Sequence, residues 1–178
     1  MIRFAAATGM RPEEWAALER EDVNWPSGVV HVARTHVEGV TKAYGKTSAS
    51  VREVPLSGLA LAALDDVPAR IDTRLLFYGP RGAHVNLRNF RRREWHPAIE
   101  AAGIPPRRIY DLRSTFASQA LAAGVPVFAR IMGTSVRMIE PTTGRQQGSG
   151  DAIRGKLDAY LEGLGQERDT EAEAIEAP

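Results

Sequence analysis

Hydrophobic and polar positions at the start of the chain predict two short helices separated by a turn. Apolar residues at positions 4–7 lead into Thr8-Gly9, where the pattern breaks. Pro12 then stands at a position where a helix start tolerates proline, and Glu13 and Glu14 suit the positive end of a helix dipole. The pattern therefore predicts two helical pieces within residues 1–20, broken at Thr8-Gly9.

The next stretch has the β-branched enrichment and the spacing of short strands. A turn-forming cluster occupies residues 22–28, and three strand candidates follow at 29–34, 36–41 and 51–56. Short connections between them indicate antiparallel neighbours. We therefore expect a small three-stranded antiparallel meander in the N-terminal third of the chain.

Beyond Ser57 the apolar spacing becomes helical. Ser57 is a good N-cap for the first of these helices, because its hydroxyl can accept from an early backbone N–H. An acidic, Ala-rich segment at 165–178 ends the chain and is expected to be a disordered tail. The predicted fold class is α+β, mainly α-helical with the small sheet. The predicted helices cover 57–65, 86–101, 111–123 and 151–164, with shorter pieces up to about 140.

Composition narrows the function classes. The chain has 178 residues, 43% of them hydrophobic and 25% charged, which suits one globular domain and argues against wholesale disorder. The absence of cysteine excludes disulfides, a thiol nucleophile and Cys-ligated metals. No apolar run is long enough to cross a membrane, so we expect a cytoplasmic protein. The four histidines, at positions 31, 36, 84 and 96, form no metal-binding pattern, and no metal site is expected.

A net charge of +1 conceals an uneven distribution. Residues 151–178 carry three basic and eight acidic side chains, a net −5, so residues 1–150, with 20 basic and 14 acidic, carry +6. Several arginines crowd together near position 90. Because a planar guanidinium suits bidentate contact with phosphate, this crowding makes a polyanion a candidate partner. The simpler explanation of the crowding is a solvated helix face. The candidate DNA-binding residues are Arg88, Arg91, Arg92 and Arg93.

Four separated stretches carry candidate chemistry. Taken singly, each has an ordinary interpretation: an exposed helix start, a hairpin-tip lysine, an arginine paired with a carboxylate, or a plain turn and cap. Their order and spacing make the set informative. The stretches are Thr8–Glu14, Gly45–Thr47, Tyr110–Ala117 and Met132–Val136.

In that order the stretches resemble the catalytic domain of the tyrosine recombinase (phage integrase) family, over about residues 1–164. The segment TGMRPEEWAALEREDVNW is similar to the family's first sequence motif, or box, and KTSASVREVPLS is similar to its β-hairpin segment. The second box, usually His-Asp-Leu-Arg-His-Thr-Phe-Ala-Ser, is similar to IYDLRSTFASQALAAG, and the last box to IMGTSVRMIEPTTG. With a catalytic-like domain over residues 1–164, we expect the family's N-terminal core-binding domain to be absent.

The resemblance implies a reaction that needs no metal and no cofactor. Members of the family attack a DNA phosphodiester with a tyrosine hydroxyl and form a covalent phosphotyrosyl link. By similarity, Arg11 and Arg113 neutralise charge on the phosphate, and Lys46 protonates the leaving oxygen. Lys42 is a weaker match for that lysine. The implied partner is double-stranded DNA, on which family members assemble as tetramers.

Three positions of the implied active site depart from the family pattern. Tyr110 replaces the histidine of the second box; it can hydrogen-bond a phosphate, but a phenol with a pKa of about 10 is a poor proton shuttle. Thr134 replaces the histidine of the last box. Thr143 stands at the nucleophile position, where a tyrosine is usual. We therefore expect a DNA breaking-and-rejoining domain whose activity is impaired or lost.

Other interpretations of the sequence stay open. Residues 122–137 resemble a helix, a turn and a second helix opening at Thr134, as in helix-turn-helix DNA-binding regulators. That alternative explains neither the Arg11 turn nor the hairpin. A catalytically dead DNA-binding remnant and a protein-interaction remnant without DNA affinity are the remaining alternatives.

Overall fold

A computed structural model describes residues 1–43, 51–125 and 150–176, with side chains up to residue 164. The chain begins with helices α1 (Ile2–Thr8) and α2 (Pro12–Trp15). Between them Gly9 adopts the left-handed backbone conformation, φ 61°, which glycine accepts at little cost. Pro12 occupies the first turn of α2, so the predicted break at Thr8-Gly9 and the helix start after it are confirmed.

Five short strands follow, in two separate sheets. Strands β1 (Val23–Asn24), β2 (Val29–Val32) and β5 (Arg52–Pro55) form an antiparallel sheet in the order β1-β2-β5. Strands β3 (Arg34–Val37) and β4 (Val40–Ala43) form a separate two-stranded sheet and, within the described residues, pair with no other strand. The three-stranded antiparallel sheet was predicted correctly, but the meander was wrong: segment 36–41 contains the turn of a separate hairpin, and the turn cluster supplies β1.

The remaining regular secondary structure of the described chain is helical. Helix α3 spans Gly58–Asp65, and the helix predicted over 86–101 runs as α4 (Leu87–Phe90), a π-helical turn (Arg91–Trp95) and α5 (His96–Ala101). The π-helical turn ends two residues before Pro97, which lacks the amide that an α-helix would use there. Helix α6 spans Asp111–Ala122, and short 3₁₀ turns lie at Arg20–Asp22 and Pro80–Gly82.

The last helix, α7, runs over Gly150–Glu176 and is longer than the predicted 151–164. Its helical backbone therefore continues into the segment that the sequence predicts as a disordered tail. The division of the chain into a domain, 1–164, and a tail, 165–178, stays a prediction. Among the described residues no helix combines the length and the apolar character needed to cross a membrane.

One hydrophobic core joins the helices to the three-stranded sheet. Phe4 of α1 packs on Phe77 with ring centroids 5.1 Å apart, and Trp15 of α2 lies edge-on to both Phe77 and Phe90. Trp95 is buried as well, as the sequence suggested, and its indole N–H donates to the Arg107 carbonyl at 2.7 Å. The core therefore fixes α2 and the π-helical turn relative to each other.

Helix α7 is fastened to three different parts of the domain. Ile153 and Leu157 are buried in the core. Arg154 donates to the Ser27 carbonyl at 2.6 Å, Lys156 donates to the Gly124 carbonyl at 2.9 Å, and the Asp158 carboxylate accepts from the Gly58 amide at 2.8 Å. The first half of α7 thus connects the β1–β2 turn, the end of α6 and the start of α3.

Replacing Ser57 with alanine is expected to lower the free energy of unfolding by about 1 kcal/mol. The buried Ser57 hydroxyl accepts from the Ala60 amide at 3.3 Å, as expected for the predicted N-cap of α3. Urea unfolding followed by circular dichroism measures the change. Ser118→Ala, on the exposed side of α6, is the matched control and should change stability by less than about 0.5 kcal/mol. Equal losses in the two variants would contradict the capping role.

Candidate active site

The centre of the candidate site is a buried carboxylate. Glu14 of α2 is completely buried, and its Oε2 accepts from the backbone N–H of Arg11 at 2.7 Å. The Arg11 guanidinium donates to Oε1 of the same carboxylate at 2.9 Å. Glu14 therefore serves two purposes: it caps the start of α2, and it holds the side chain of Arg11 close to that helix.

A second arginine reaches the same carboxylate from the sheet. The two guanidinium nitrogens of Arg52, on β5, donate to Oε1 and Oε2 of Glu14 at 2.9 and 2.8 Å. This is the bidentate geometry in which arginine and a carboxylate interact most strongly. The pair ties α2 to the three-stranded sheet across 38 positions of sequence.

A third arginine enters from α6. Arg113 is buried, and its guanidinium donates to the carbonyl of Gly9 in the turn between α1 and α2. Burial lowers the pKa of Arg113, and the positive charges of Arg11 and Arg52 lower it further, whereas Tyr110 and Glu14 act in the opposite direction. Three cationic side chains thus gather around one carboxylate, and the cluster carries excess positive charge suited to an anion.

Access to this cluster lies on the side of Arg11 and Tyr110. The Arg11 side chain is 25% exposed, and Tyr110 is 47% exposed. Tyr110 directly precedes α6, three positions before Arg113, and therefore lies one helical turn away. The Asp111 carboxylate accepts from the Arg108 backbone N–H at 2.9 Å, which fixes the chain at this helix start and lowers the pKa of Asp111.

The predicted DNA-binding arginines lie on a different element. They belong to α4 and the π-helical turn, a segment whose buried side is anchored by Trp95. Their four side chains are exposed, so this helix presents a cationic surface to solvent. These residues are Arg88, Arg91, Arg92 and Arg93.

The structure brings together some of the sequence-predicted residues and leaves others outside its description. Arg11 and Arg113 lie at the same turn, with Tyr110 one helical turn from Arg113. Lys42, the weaker lysine candidate, is exposed on β4. Lys46, Thr134 and Thr143 lie outside the described residues, as does most of the helix-turn-helix candidate at 122–137. The active-site roles of all these residues stay predictions.

The sequence analysis did not identify Arg52 as a site residue, and it assigned Glu14 only to the start of a helix. The alternation of side chains along β5 could have revealed Arg52. It lies two and four positions before Val54 and Leu56, on the same face of the strand, and both of those residues are buried. An arginine on the buried parity of a strand requires a partner for its charge. No metal-binding group of three or more acidic or histidine side chains occurs within the described ranges.

Comparison with known proteins agrees with this geometry. The model of the phage integrase family matches residues 1–133, a stretch that contains Arg11, Arg52 and Arg113. The chain belongs to the phage integrase family. This confirms the tyrosine recombinase resemblance seen in the sequence. The integrase-family chain is also 30% identical over 155 residues to the prophage integrase IntR of Escherichia coli K12, an alignment covering 71% of this chain and 37% of that protein.

Solved structures show that the fold is shared. The Tn1549 transposon integrase in complex with circular intermediate DNA superposes with a TM-score of 0.63 at 20% identity, over 89% of this chain and 57% of that chain. The XerA recombinase gives 0.58 at 20% identity, over 92% and 55%. A λ integrase dimer bound to a core site gives 0.52 at 15%, over 86% and 50%. The mixed helical fold with small antiparallel sheets is therefore confirmed. This integrase-family chain spans about a third to a little over half of the length of these relatives.

Proposed function

We propose that this domain binds double-stranded DNA and holds one phosphodiester between Arg11 and Arg113, as a DNA breaking-and-rejoining recombinase does. The observation that carries the proposal is the contact between Arg113 and the Gly9 carbonyl. It joins two segments 104 positions apart and brings Arg113 to the turn that presents Arg11. Positive charge fixed in advance at one place is what a phosphate needs as charge develops on its oxygens.

The relatives support DNA as the partner. The Tn1549 integrase and the λ integrase were both solved as DNA complexes. In this chain the exposed arginines of α4 and the π-helical turn supply contacts that suit a phosphate backbone, independent of base sequence. The proposal includes a cytoplasmic location. It also includes assembly of several copies on DNA, because recombination joins two duplexes.

In the proposed strand cleavage each of the predicted active-site residues has a role. A nucleophilic hydroxyl loses its proton to solvent as its oxygen bonds to phosphorus, the bond from phosphorus to the 5′ oxygen breaks, and Lys46 gives that 5′ oxygen its proton. Arg11 and Arg113 bind the non-bridging oxygens, and Tyr110 and Thr134 donate hydrogen bonds to them. Thr143 stands where the tyrosine is needed, and its alkyl hydroxyl is less acidic and closer to the backbone than a phenol. The unmodified chain therefore binds DNA without forming a covalent link.

Covalent trapping with a restored nucleophile tests this proposal. Thr143→Tyr and the unmodified chain are incubated with nicked duplexes tiled over the DNA that flanks the coding sequence. We expect both proteins to retard duplex DNA less as salt increases, because phosphate contacts release counterions. Only Thr143→Tyr should give a protein–DNA band that survives denaturing electrophoresis.

A neighbouring substitution is the control for placement. Thr142→Tyr adds the same phenol one position earlier, where a shift of a few ångströms is expected to abolish the adduct. An adduct from the unmodified chain would overturn the assignment of Thr143. Failure to retard any duplex would overturn DNA binding itself, and binding without an adduct from Thr143→Tyr would overturn the phosphate chemistry alone.

A further inference from the structure

The β3–β4 hairpin is a two-stranded ribbon that pairs with no other strand of the described chain. Its two-residue turn, Glu38-Gly39, has positive φ at both positions, 50° and 83°, which is the backbone pattern of a tight hairpin turn. Such ribbons are marginal on their own, so their orientation depends on side-chain anchors. β4 leads directly into residues 44–50, which include Lys46, so the orientation of the hairpin sets where that segment begins.

One anchor is the arginine at the base of the hairpin. Arg34 donates to the Ala17 carbonyl at 3.1 Å and to the Asp22 carboxylate at 2.7 Å, and Glu19 lies 3.3 Å from the same guanidinium. These contacts fix the first residue of β3 against the segment after α2. They do not reach the end of the hairpin near the turn.

A pair of stacked histidines anchors that end. His36 lies opposite Thr41 in the hairpin, and its Nδ1 shares a 2.8 Å hydrogen bond with the Thr41 hydroxyl. The ring of His84 stacks on His36, with centroids 3.7 Å apart and planes 4° from parallel, and its Nε2 lies 3.5 Å from the same hydroxyl. His84 is itself held by an antiparallel bridge to Tyr78.

The stack favours neutral rings. Burial lowers the pKa of His36; burial, His36 and Arg34 together lower the pKa of His84. A histidine whose folded pKa lies below its unfolded value of about 6.5 stabilises the contact above that pH, and the stabilisation is lost as the pH falls. Charged residues on the surrounding elements are Arg34, Lys42, Arg81, Glu13, Glu14 and Glu38, and Asp66, Arg93 and Glu94 line the same cavity as His84. Glu14 binds Arg11 and Arg52.

We propose that His84 is a positioning residue that holds the β3–β4 hairpin in place by stacking on His36 as a neutral ring, and releases it when the His84 ring is protonated. The hairpin, and with it the start of the segment that contains Lys46, is then well placed only at neutral or higher pH. The consequence for chemistry rests on the proposed function, whereas the release of the hairpin does not.

Amide hydrogen exchange of the full chain tests the release directly. Protection of the β3–β4 amides, corrected for the intrinsic pH dependence of exchange, is compared at pH 7.5 and pH 5.5. We expect it to fall by about tenfold in the unmodified chain, the effect of one linked proton. In His84→Phe, which keeps an aromatic ring but cannot be protonated, the fall should be much smaller.

Two references separate this effect from general destabilisation. The buried amides of Val30 and Val54 report global unfolding and should stay better protected than the β3–β4 amides at both pH values, because the hairpin opens locally. His31→Phe changes an exposed histidine on β2 and should behave like the unmodified chain. A pH dependence that persists unchanged in His84→Phe, or is missing from the unmodified chain, would overturn the proposal.

The adduct assay then connects the hairpin to chemistry. In the Thr143→Tyr background, the yield of covalent adduct should fall more steeply between pH 7.5 and pH 5.5 with His84 than with His84→Phe. Equal slopes would overturn the link to the lysine segment. If Thr143→Tyr gives no adduct at any pH, the proposed phosphate chemistry fails, and hydrogen exchange still decides the role of His84.

Discussion

Replacing Glu14 with glutamine is expected to lower the free energy of unfolding by about 3–5 kcal/mol, the cost of removing one partner from a buried ion pair. The completely buried Glu14 carboxylate accepts two hydrogen bonds from Arg52 and two from Arg11. Glutamine keeps the size of the side chain but loses the charge, and one of its two terminal atoms becomes a donor that faces arginine donors. The charge of the neighbouring arginines is then left without its carboxylate.

Chemical denaturation of the full chain measures this loss, and thermal unfolding should show a fall of roughly 10 °C for a domain of this size. Glu13→Gln is the matched control, because Glu13 is the adjacent residue and is partly exposed. It should change stability by less than about 0.5 kcal/mol. Similar losses in the two variants would show that Glu14 is not the carboxylate on which this part of the fold depends.

Replacing Arg113 with lysine, in the Thr143→Tyr background, is expected to reduce the rate of adduct formation by about 10²–10³, the effect of removing one preorganised transition-state contact. Lysine keeps the positive charge but has a single ammonium in place of a planar fork, so it cannot reproduce a bidentate phosphate contact. The contact with the Gly9 carbonyl would also be altered. Single-turnover adduct formation on the nicked duplex gives the rate.

Arg108→Lys is the control for this substitution. Arg108 lies five positions earlier, is exposed, and pairs with Asp111 rather than with the buried cluster. Its replacement should change the rate by less than about threefold, because an exposed ion pair contributes little. Circular dichroism must show that Arg113→Lys is folded, and a rate equal to that of Arg108→Lys would argue against a phosphate contact at Arg113.

Local signals in the sequence predicted most of the helices. Ser57 caps α3 because a serine hydroxyl satisfies an early backbone amide wherever a helix begins, and that preference is visible without any tertiary information. The break at Thr8-Gly9 was predictable for the same reason, since it depends on glycine's backbone freedom. Such features involve neighbours in sequence, so a sequence contains them directly.

The sheet shows where local signals were insufficient. Residues 36–41 alternate like a strand, yet Glu38 and Gly39 form a tight turn between β3 and β4. Asn-Gly or Asp-Gly would have indicated such a turn, whereas Glu-Gly is a weak signal, because glutamate seldom adopts positive φ. The two-residue strand β1 was hidden within a turn cluster, because pairing with β2 rather than its own composition defines it.

Within the candidate site, resemblance to a family identified Arg11 and Arg113, and elementary chemistry explains why arginine is needed there. The pairing of Glu14 with Arg52 was not predictable in the same way. It depends on the register of β5 against a helix 38 positions earlier, and a single sequence does not contain that register. The buried parity of Arg52 indicates that a partner exists without saying which carboxylate it is.

The attachment of α7 has a consequence for how the domain is made in the cell. Asp158 accepts a hydrogen bond from Gly58, 100 positions earlier in the chain, and Arg154 donates one to Ser27, 127 positions earlier. Contacts of such long sequence separation form late, after the loop between them has closed. During translation the apolar surface that Ile153 and Leu157 cover therefore stays open until α7 leaves the ribosome. Chaperones have access to that surface throughout this interval, and a chain that ends before residue 153 lacks both covering side chains and leaves the surface exposed.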